Sequence, residues 1–122
     1  IQLINEGHRI TLIIPTDKYF IFDTPRLDRL KHQPLTDIAT LIKCFPNTTV
    51  HVAGFTDDVG TYEHRRWLSQ KRAQAIATYL WTQGIREKNI EAEGYGAKYA
   101  HANNHLIHGS ALNRRVEVQW IR

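Results

Sequence analysis

Alternating apolar and polar positions predict β-strands near both ends of the chain. Residues 8–14 alternate and then become continuously apolar and β-branched, and Pro15 ends this segment. Residues 115–121 alternate so that Val116, Val118 and Trp120 share one face. Shorter apolar runs at 19–22, 49–53 and 90–93 predict further strands. The one-sided alternation indicates a sheet with a covered face.

Two segments between these strands have apolar residues at helical spacing. The first starts at Thr36, with Thr36 or Asp37 as its cap, and Pro46 stops it. The second spans roughly 62–83, and Gly84 suits its C-terminal cap. The predicted fold is α/β, an α+β sandwich in the order β-α-β-α-β-β, with the helices packed on one mixed sheet. Right-handed crossovers would bring the strand ends near Asp23 and Asp57 together.

Length and composition indicate one globular domain that covers residues 1–122. The formal charge of +4 suggests an acidic partner, which can be nucleic acid, a membrane surface or an anionic wall polymer. The single cysteine, Cys44, excludes an internal disulfide, and its apolar surroundings predict a buried position. The sequence has no methionine and no apolar run near the roughly 18 residues that cross a bilayer. We therefore expect a fragment of a longer protein whose membrane attachment is N-terminal to this segment.

The most informative motif joins a strand to a helix. It reads Gly-x-Thr-Asp-x-x-Gly at 54–60 and Leu-Ser-x-x-Arg-Ala at 68–73, so that Arg72 follows Asp57 by fifteen positions. An acid and an arginine held together can bind a zwitterion from both ends, because the guanidinium donates two parallel hydrogen bonds to a carboxylate. A helix that begins near Thr61 or Tyr62 would add its positive dipole end. The simpler alternative is that Asp57 caps the turn and Arg72 lies on a solvated helix face.

Four blocks of the sequence, taken together, resemble one known family. They are the motif above, the segment 20–27, Gly94-Tyr95-Gly96, and Asn113-Arg114-Arg115-Val116-Glu117-Val118, and Asn104 and Gly109 keep the spacing of a late loop. This combination is similar to the OmpA C-terminal-like, or peptidoglycan-associated, domain family.

The resemblance implies a non-catalytic module without a cofactor that grips the diaminopimelate of peptidoglycan stem peptides. Asp57 would bind the amino group and Arg72 the carboxylate. The remaining residues that the resemblance places around the pocket are Asp23, Thr56, Arg65 and Arg114. Such a module would lie in the periplasm of a Gram-negative bacterium, associated with the outer membrane, and would tether an outer-membrane protein, a lipoprotein or an envelope complex to the wall.

Three positions depart from the family pattern. Phe55 replaces a histidine, Ser110 replaces an arginine, and Arg65 replaces an asparagine that helps to line the pocket. Arg65 could block the pocket or could add a second grip on a carboxylate. The alternative function is therefore a protein-interaction scaffold domain in a secretion or motility assembly, such as a Dot/Icm-type type IV secretion apparatus, that has kept the fold and lost the ligand.

Other candidate sites have weaker patterns. His101, His105 and His108 could gather a metal, but their Asn- and Gly-rich segment predicts surface histidines in a loop. Asp57, Asp58, His64 and Ser69 are candidate members of a hydrolytic triad, but no nucleophile-elbow motif supports that assignment. We expect neither a metal site nor an enzyme.

A basic face interleaved with aromatic residues is the ordinary pattern for binding single-stranded nucleic acid. The interspersed acidic residues favour an ordinary solvated surface and no nucleic-acid partner. Candidates for this face are Arg26, Arg29, Lys31, Arg65, Arg66, Lys71, Arg114 and Arg115, with Tyr19, Tyr62 and Trp67.

Overall fold

The computed structural model of the chain describes residues 1–28, 32–99 and 107–122. These residues form five strands, four helices and a short 3-10 turn at Glu87–Asn89. The strands are β1 (Gln2–Glu6), β2 (Arg9–Pro15), β3 (Val50–Phe55), β4 (Ile90–Gly94) and β5 (Arg115–Ile121). The helices are α1 (Thr16–Tyr19), α2 (His32–Ile42), α3 (Tyr62–Thr82) and α4 (Ile107–Asn113).

The strands form one mixed sheet in the order β1-β2-β5-β3-β4. Only β3 and β4 are parallel, and the other neighbours are antiparallel. β1 and β2 form a hairpin whose two-residue turn begins at Gly7, where the φ of 61° is one that glycine adopts at little cost. The mixed sheet confirms the predicted fold class.

Helices α2 and α3 pack on one face of the sheet and enclose the core. Trp120, Val116 and Val118 are buried on that face, as the alternation of β5 predicts. From α3, Ile76 and Leu80 are fully buried against them. The apolar periodicity of the two helices therefore identified the core-facing side of each.

Two glycines let α3 lie unusually close to the sheet. Gly54 and Gly94 are paired neighbours in the parallel strands β3 and β4. A Cβ on Gly54 would collide with the backbone carbonyl of Ser69, and one on Gly94 would collide with the backbone of Gln70. Ser69 is fully buried at this contact, where its Oγ donates to Arg66 O and accepts from Gly96 N. The close approach fixes the position of the N-terminal half of α3.

The boundaries of α3 are those predicted from the sequence. Thr61 is the N-cap, and its Oγ1 accepts a hydrogen bond from the backbone N–H of His64 at 3.1 Å. Gly84 follows the C-cap with a φ of 105°, the left-handed conformation that ends many helices.

The predicted strand at 19–22 is wrong, because Tyr19 belongs to the helical turn α1 and the described residues 20–22 lie outside any strand. Tyr19 and Phe20 are both buried, at 8% and 5% exposed. Successive side chains of a strand point to opposite faces, so one of the two would lie on the uncovered side. Phe20 makes only an isolated bridge to Leu27.

Helix α2 begins before the predicted Thr36. Pro34 lies in its first turn, where a missing N–H costs no intrahelical hydrogen bond. Thr36 is therefore inside the helix, and its Oγ1 donates to His32 O rather than capping. The helix ends at Ile42, well before Pro46. Cys44 consequently leaves the buried face and is exposed, which contradicts the predicted burial.

Strand β1 and helix α4 were not predicted from the sequence. Within the described residues, no helix combines the length and the apolar character that a membrane span requires.

Candidate functional site

A cleft of about 480 Å³ opens between the N-terminal half of α3, the loop after β3, and the α1 region. Its volume is in the range of small-molecule sites. The lining residues are Thr16, Asp17, Phe20, Phe22, Asp23, Thr56, Asp57, Val59, His64, Arg65, Leu68, Arg72 and Arg114. All six residues that the sequence singled out, Asp57, Arg72, Asp23, Thr56, Arg65 and Arg114, therefore meet in one cleft.

Asp57 lies directly after β3 and is only 8% exposed. Its Oδ2 accepts hydrogen bonds from Ser110 Oγ at 2.7 Å and from Arg114 Nη1 at 2.6 Å. Its Oδ1 accepts from the backbone N–H of Val59 at 3.2 Å, which is the turn cap that the simpler reading expected. Burial by itself would raise the pKa of Asp57, but these hydrogen bonds and the charge of Arg114 outweigh it and lower the pKa. Asp57 is thus held as an anion.

Arg114 connects two acids across the cleft. Its Nε and Nη2 donate to the two carboxylate oxygens of Asp17 at 2.8 and 2.7 Å, in the bidentate geometry of a strong pair. Its Nη1 bonds Asp57 and also Ser110 Oγ, the latter at 3.2 Å. The hydrogen bonds to Asp17 are the largest of the influences that raise the pKa of Arg114. Arg114 therefore neutralises the acid that the sequence assigned to a ligand.

Arg72 is buried under the loop that follows α1. Its Nε donates to Thr24 O at 2.9 Å, its Nη1 reaches Thr16 Oγ1 at 3.4 Å, and its guanidinium lies 5.2 Å from the ring centre of Phe20. Burial lowers the pKa of Arg72, while the charges of nearby aspartates, Asp17 first, oppose that change. Arg72 is 5% exposed, so it does not lie on a solvated helix face.

Arg65 and Thr56 line the cleft from α3 and from the end of β3. Arg65 Nη1 donates to the backbone carbonyl of Asp58 at 3.0 Å, while its Nε is buried without a hydrogen-bond partner in the part of the chain that the structure describes. Thr56 is 6% exposed, and its Oγ1 donates to the carbonyl of Asp57 at 2.9 Å. Thr56 thus orients the backbone that carries the acid.

Asp23 lies at the mouth of the cleft with a φ of 52°, a left-handed conformation that aspartate tolerates better than most residues. His64 Nε2 lies 3.3 Å from Asp23 Oδ1. The His64 ring stacks on Trp67, which is 48% exposed. The first turns of α3 therefore place an aromatic surface, His64 and Trp67, beside the Asp23 carboxylate.

Several cleft residues were not singled out as site residues from the sequence. Ser110 was noted only as a departure from the family pattern, yet its Oγ donates a hydrogen bond to Asp57 Oδ2. Thr16 and Asp17 lie on α1. In the sequence they fall between two predicted strands, so no pattern placed them near α3. Phe22 is 92% exposed and Val59 71% exposed at the rim.

Residues on which the catalytic and nucleic-acid alternatives depend lie in positions that do not suit those roles. Ser69 Oγ is hydrogen-bonded to Arg66 O and Gly96 N rather than to a base, so the hydrolytic triad considered from the sequence does not form. Tyr19 is buried, and Arg115 is 4% exposed beneath the ring of Phe55, so neither belongs to a basic surface. Arg29 and Lys31 lie outside the described residues.

The metal alternative falls largely on residues that the structure does not describe. His101, His105 and Asn104 lie outside the described residues, as does the side chain of His108. Within the described ranges, no group of three or more histidine, cysteine, aspartate or glutamate side chains could hold a metal ion.

Comparison with known proteins gives a family match over most of the chain. Residues 19–114 match the sequence model of the OmpA family. The chain is 34% identical over 118 residues to the probable lipoprotein YiaD of Escherichia coli, covering 97% of this chain and 54% of that protein. It is 33% identical over 87 residues to the peptidoglycan-binding protein ArfA of Mycobacterium tuberculosis, covering 71% of this chain and 27% of that protein. The chain thus spans about half, or less, of these relatives.

Among solved structures, the cell wall anchor of the type VI secretion system from Pseudomonas aeruginosa superposes with a TM-score of 0.90. It is 26% identical, and the match covers 98% of this chain and 86% of that chain. The described fold is therefore shared with a protein whose named role is attachment to the wall.

Proposed function

Because this chain belongs to the OmpA family, we propose that it is a periplasmic, non-catalytic module that binds peptidoglycan and anchors a longer envelope protein to the cell wall. The family is structural rather than enzymatic, and this agrees with the expectation that the domain is not an enzyme. The names of two relatives, a peptidoglycan-binding protein and a cell wall anchor, support the proposal. The lipoprotein relative supports an association with the outer membrane.

The ligand we propose is the diaminopimelate of the stem peptide, whose free end carries an ammonium and a carboxylate on one carbon. The observation that carries this proposal is that Asp57 and Arg72, each less than a tenth exposed, line the same cleft. Buried opposite charges on one cleft can read both charges of a zwitterion.

Both groups retain capacity for a ligand. A carboxylate offers about four acceptor positions, and Asp57 uses three of them on Ser110, Arg114 and Val59. Arg72 uses its Nε and Nη1, and its Nη2 has no acceptor among the described residues. An ammonium can take the remaining position on Asp57, and a carboxylate can accept from Nη2. Asp23 would complete the site at its mouth, and Thr56 would orient the backbone that carries Asp57.

The test is an amide NMR titration of the chain with two stem peptides that differ only in the third residue. One contains diaminopimelate, and the other contains lysine, which has the ammonium but lacks the side-chain carboxylate. We expect saturable shifts around residues 57 and 72 with the first peptide and at least roughly tenfold weaker binding of the second, since a charge-assisted contact is lost.

Asp57→Asn and Asp58→Asn form a matched pair of variants for this titration. Each removes one carboxylate charge from the same loop, but Asp58 is exposed and does not line the cleft. Binding should be lost in the first variant and kept in the second. Equal binding by both variants would exclude Asp57 as a contact.

The scaffold alternative has one observation in its favour, the highly exposed Phe22 at the cleft rim. Aromatic side chains are enriched at protein–protein interfaces, which makes Phe22 a candidate contact residue. A folded chain that shows no shifts with either peptide at millimolar concentration would support this alternative and overturn the wall-binding proposal.

A further inference from the structure

The opposite charges that line the cleft are equal in number but unevenly paired. Three arginines and three aspartates contribute to its wall. Arg114 pairs with two of the aspartates, and His64 lies beside the third. Arg65 and Arg72 consequently have no carboxylate partner in the described part of the chain. The cleft therefore presents two guanidinium groups to a ligand, one more than a single carboxylate requires.

Arg65 is the less satisfied of the two. Among the described residues it donates only through Nη1, to the backbone carbonyl of Asp58, and its buried Nε has no hydrogen-bond partner there. A buried donor without an acceptor costs free energy that a ligand oxygen would recover. Its contact with Asp58 also keeps the guanidinium beside the loop that carries Asp57, at the cleft wall.

The two arginines lie on the same side of α3, seven residues apart. Seven residues are close to two turns, so they are separated by about 10 Å along the helix axis. Long side chains at that spacing can reach opposite ends of one extended ligand. Diaminopimelate has that shape, since its two carboxyl groups are at opposite ends of its carbon chain.

We propose that Arg65 is a specificity-determining residue that binds the α-carboxylate of diaminopimelate, so that the cleft selects stem peptides that end at this residue. This inference rests on the proposed function, in which Arg72 binds the carboxylate at the other end. In a stem that continues with D-alanine, the α-carboxyl group is part of a peptide bond and carries no charge. Arg65 then loses its anionic partner, and the ligand must also place an extra residue against it.

The experiment is calorimetric titration of the chain with three ligands. They are the tripeptide stem that ends at diaminopimelate, the same stem extended by D-alanine, and the tripeptide with its terminal carboxylate converted to an amide. We expect the tripeptide to bind roughly ten- to a hundredfold more tightly than the other two, as one charge-assisted contact implies.

Two variants separate Arg65 from general charge effects. Arg65→Asn restores the residue type that the family pattern has at this position. Arg66→Asn removes the same charge from the adjacent, exposed position, where Arg66 contacts Tyr62 and does not line the cleft. The preference for the tripeptide should fall to about twofold or less in Arg65→Asn and remain in Arg66→Asn. Circular dichroism of both variants checks that the fold is kept.

The outcomes distinguish this inference from the function on which it rests. Equal binding of the three ligands by the unmodified chain, or a preference that survives Arg65→Asn, would overturn the role of Arg65 while leaving diaminopimelate binding intact. Tighter binding by Arg65→Asn would show that Arg65 obstructs the cleft, which also overturns the inference. Binding of none of the ligands by any form would overturn the proposed function itself.

Discussion

Replacing Arg114 with glutamine tests how the anionic state of Asp57 is maintained. The substitution removes two hydrogen bonds to Asp17, one to Asp57 and one to Ser110. It keeps the backbone contact in which Thr16 N donates to the carbonyl of residue 114. The consequence differs between the two acids. The Asp17 side chain is 48% exposed and regains water, whereas the Asp57 side chain is only 11% exposed.

The expected loss of stability follows from these two environments. Breaking a buried ion pair by removing one partner costs about 3–5 kcal/mol, and an exposed pair contributes about 0.2–1 kcal/mol. Asp57 keeps its hydrogen bonds from Ser110 and Val59, and Arg114 is itself 30% exposed. We therefore expect Arg114→Gln to lower the free energy of unfolding by about 2–3 kcal/mol at pH 7.

The loss should depend on pH in a direction that the pKa of Asp57 dictates. Because that pKa is lower in the folded state than its ordinary value, Asp57 stabilises the fold above its unfolded pKa, and this contribution is lost as the pH falls through the folded value. Arg114→Gln removes part of the cause of the low pKa. The difference between the two proteins should therefore be largest near neutral pH and should shrink below about pH 4.

Urea unfolding followed by circular dichroism at pH 7 and at pH 2.5 measures both quantities. Arg26→Gln serves as the control, because Arg26 is exposed and loses the same charge. It should change stability by no more than about 0.5 kcal/mol at either pH. A loss of under about 0.5 kcal/mol for Arg114→Gln at pH 7, or an equal loss at both pH values, would refute the reasoning.

Two further predictions concern the fold around the cleft. Gly54→Ala should destabilise the domain by about 3 kcal/mol or more in urea unfolding. Its Cβ would meet the backbone of Ser69, and only a shift of α3 can relieve the overlap. Gly7→Ala, whose Cβ meets no atom, should lower the free energy of unfolding by less. A near-native midpoint for Gly54→Ala would show that α3 can move freely. Cys44 should react with Ellman's reagent in the folded protein, since it is exposed, and a requirement for denaturant would contradict its position beyond the end of α2.

The elements read correctly from the sequence are those whose local signals agree with their packing. Helix α3 begins and ends where its apolar residues and Gly84 predicted, and Thr61 caps its start. Strand β5 alternates from Val116 to Trp120 because the helices cover the face to which Val116, Val118 and Trp120 point. In both elements the buried residues recur at the period of the helix or the strand, so the apolar pattern of the sequence shows them directly.

The elements missed or misassigned depend on partners that are distant in the chain. Strand β1 is mostly exposed, and its pairing with β2 through Gly7 defines it more than any apolar pattern does. Helix α4 contains Gly109 and ends at Asn113, both poor helix formers, so its propensity gives little signal. The strand predicted at 19–22 does not form because Tyr19, at the end of α1, and Phe20 after it both turn into the core.

The residues that could form the site were recognisable from the amino-acid sequence. The strand-to-helix motif places Asp57 and Arg72 on neighbouring elements, and the family pattern identifies Arg65 as unusual. How their charges are paired follows from the folded chain. Asp57 is paired with Arg114 from the far end of the chain, while Arg65 and Arg72 have no carboxylate partner in the described residues. The physical reason is that electrostatic pairing depends on distances of a few ångströms between residues far apart in sequence, and no local pattern encodes those distances.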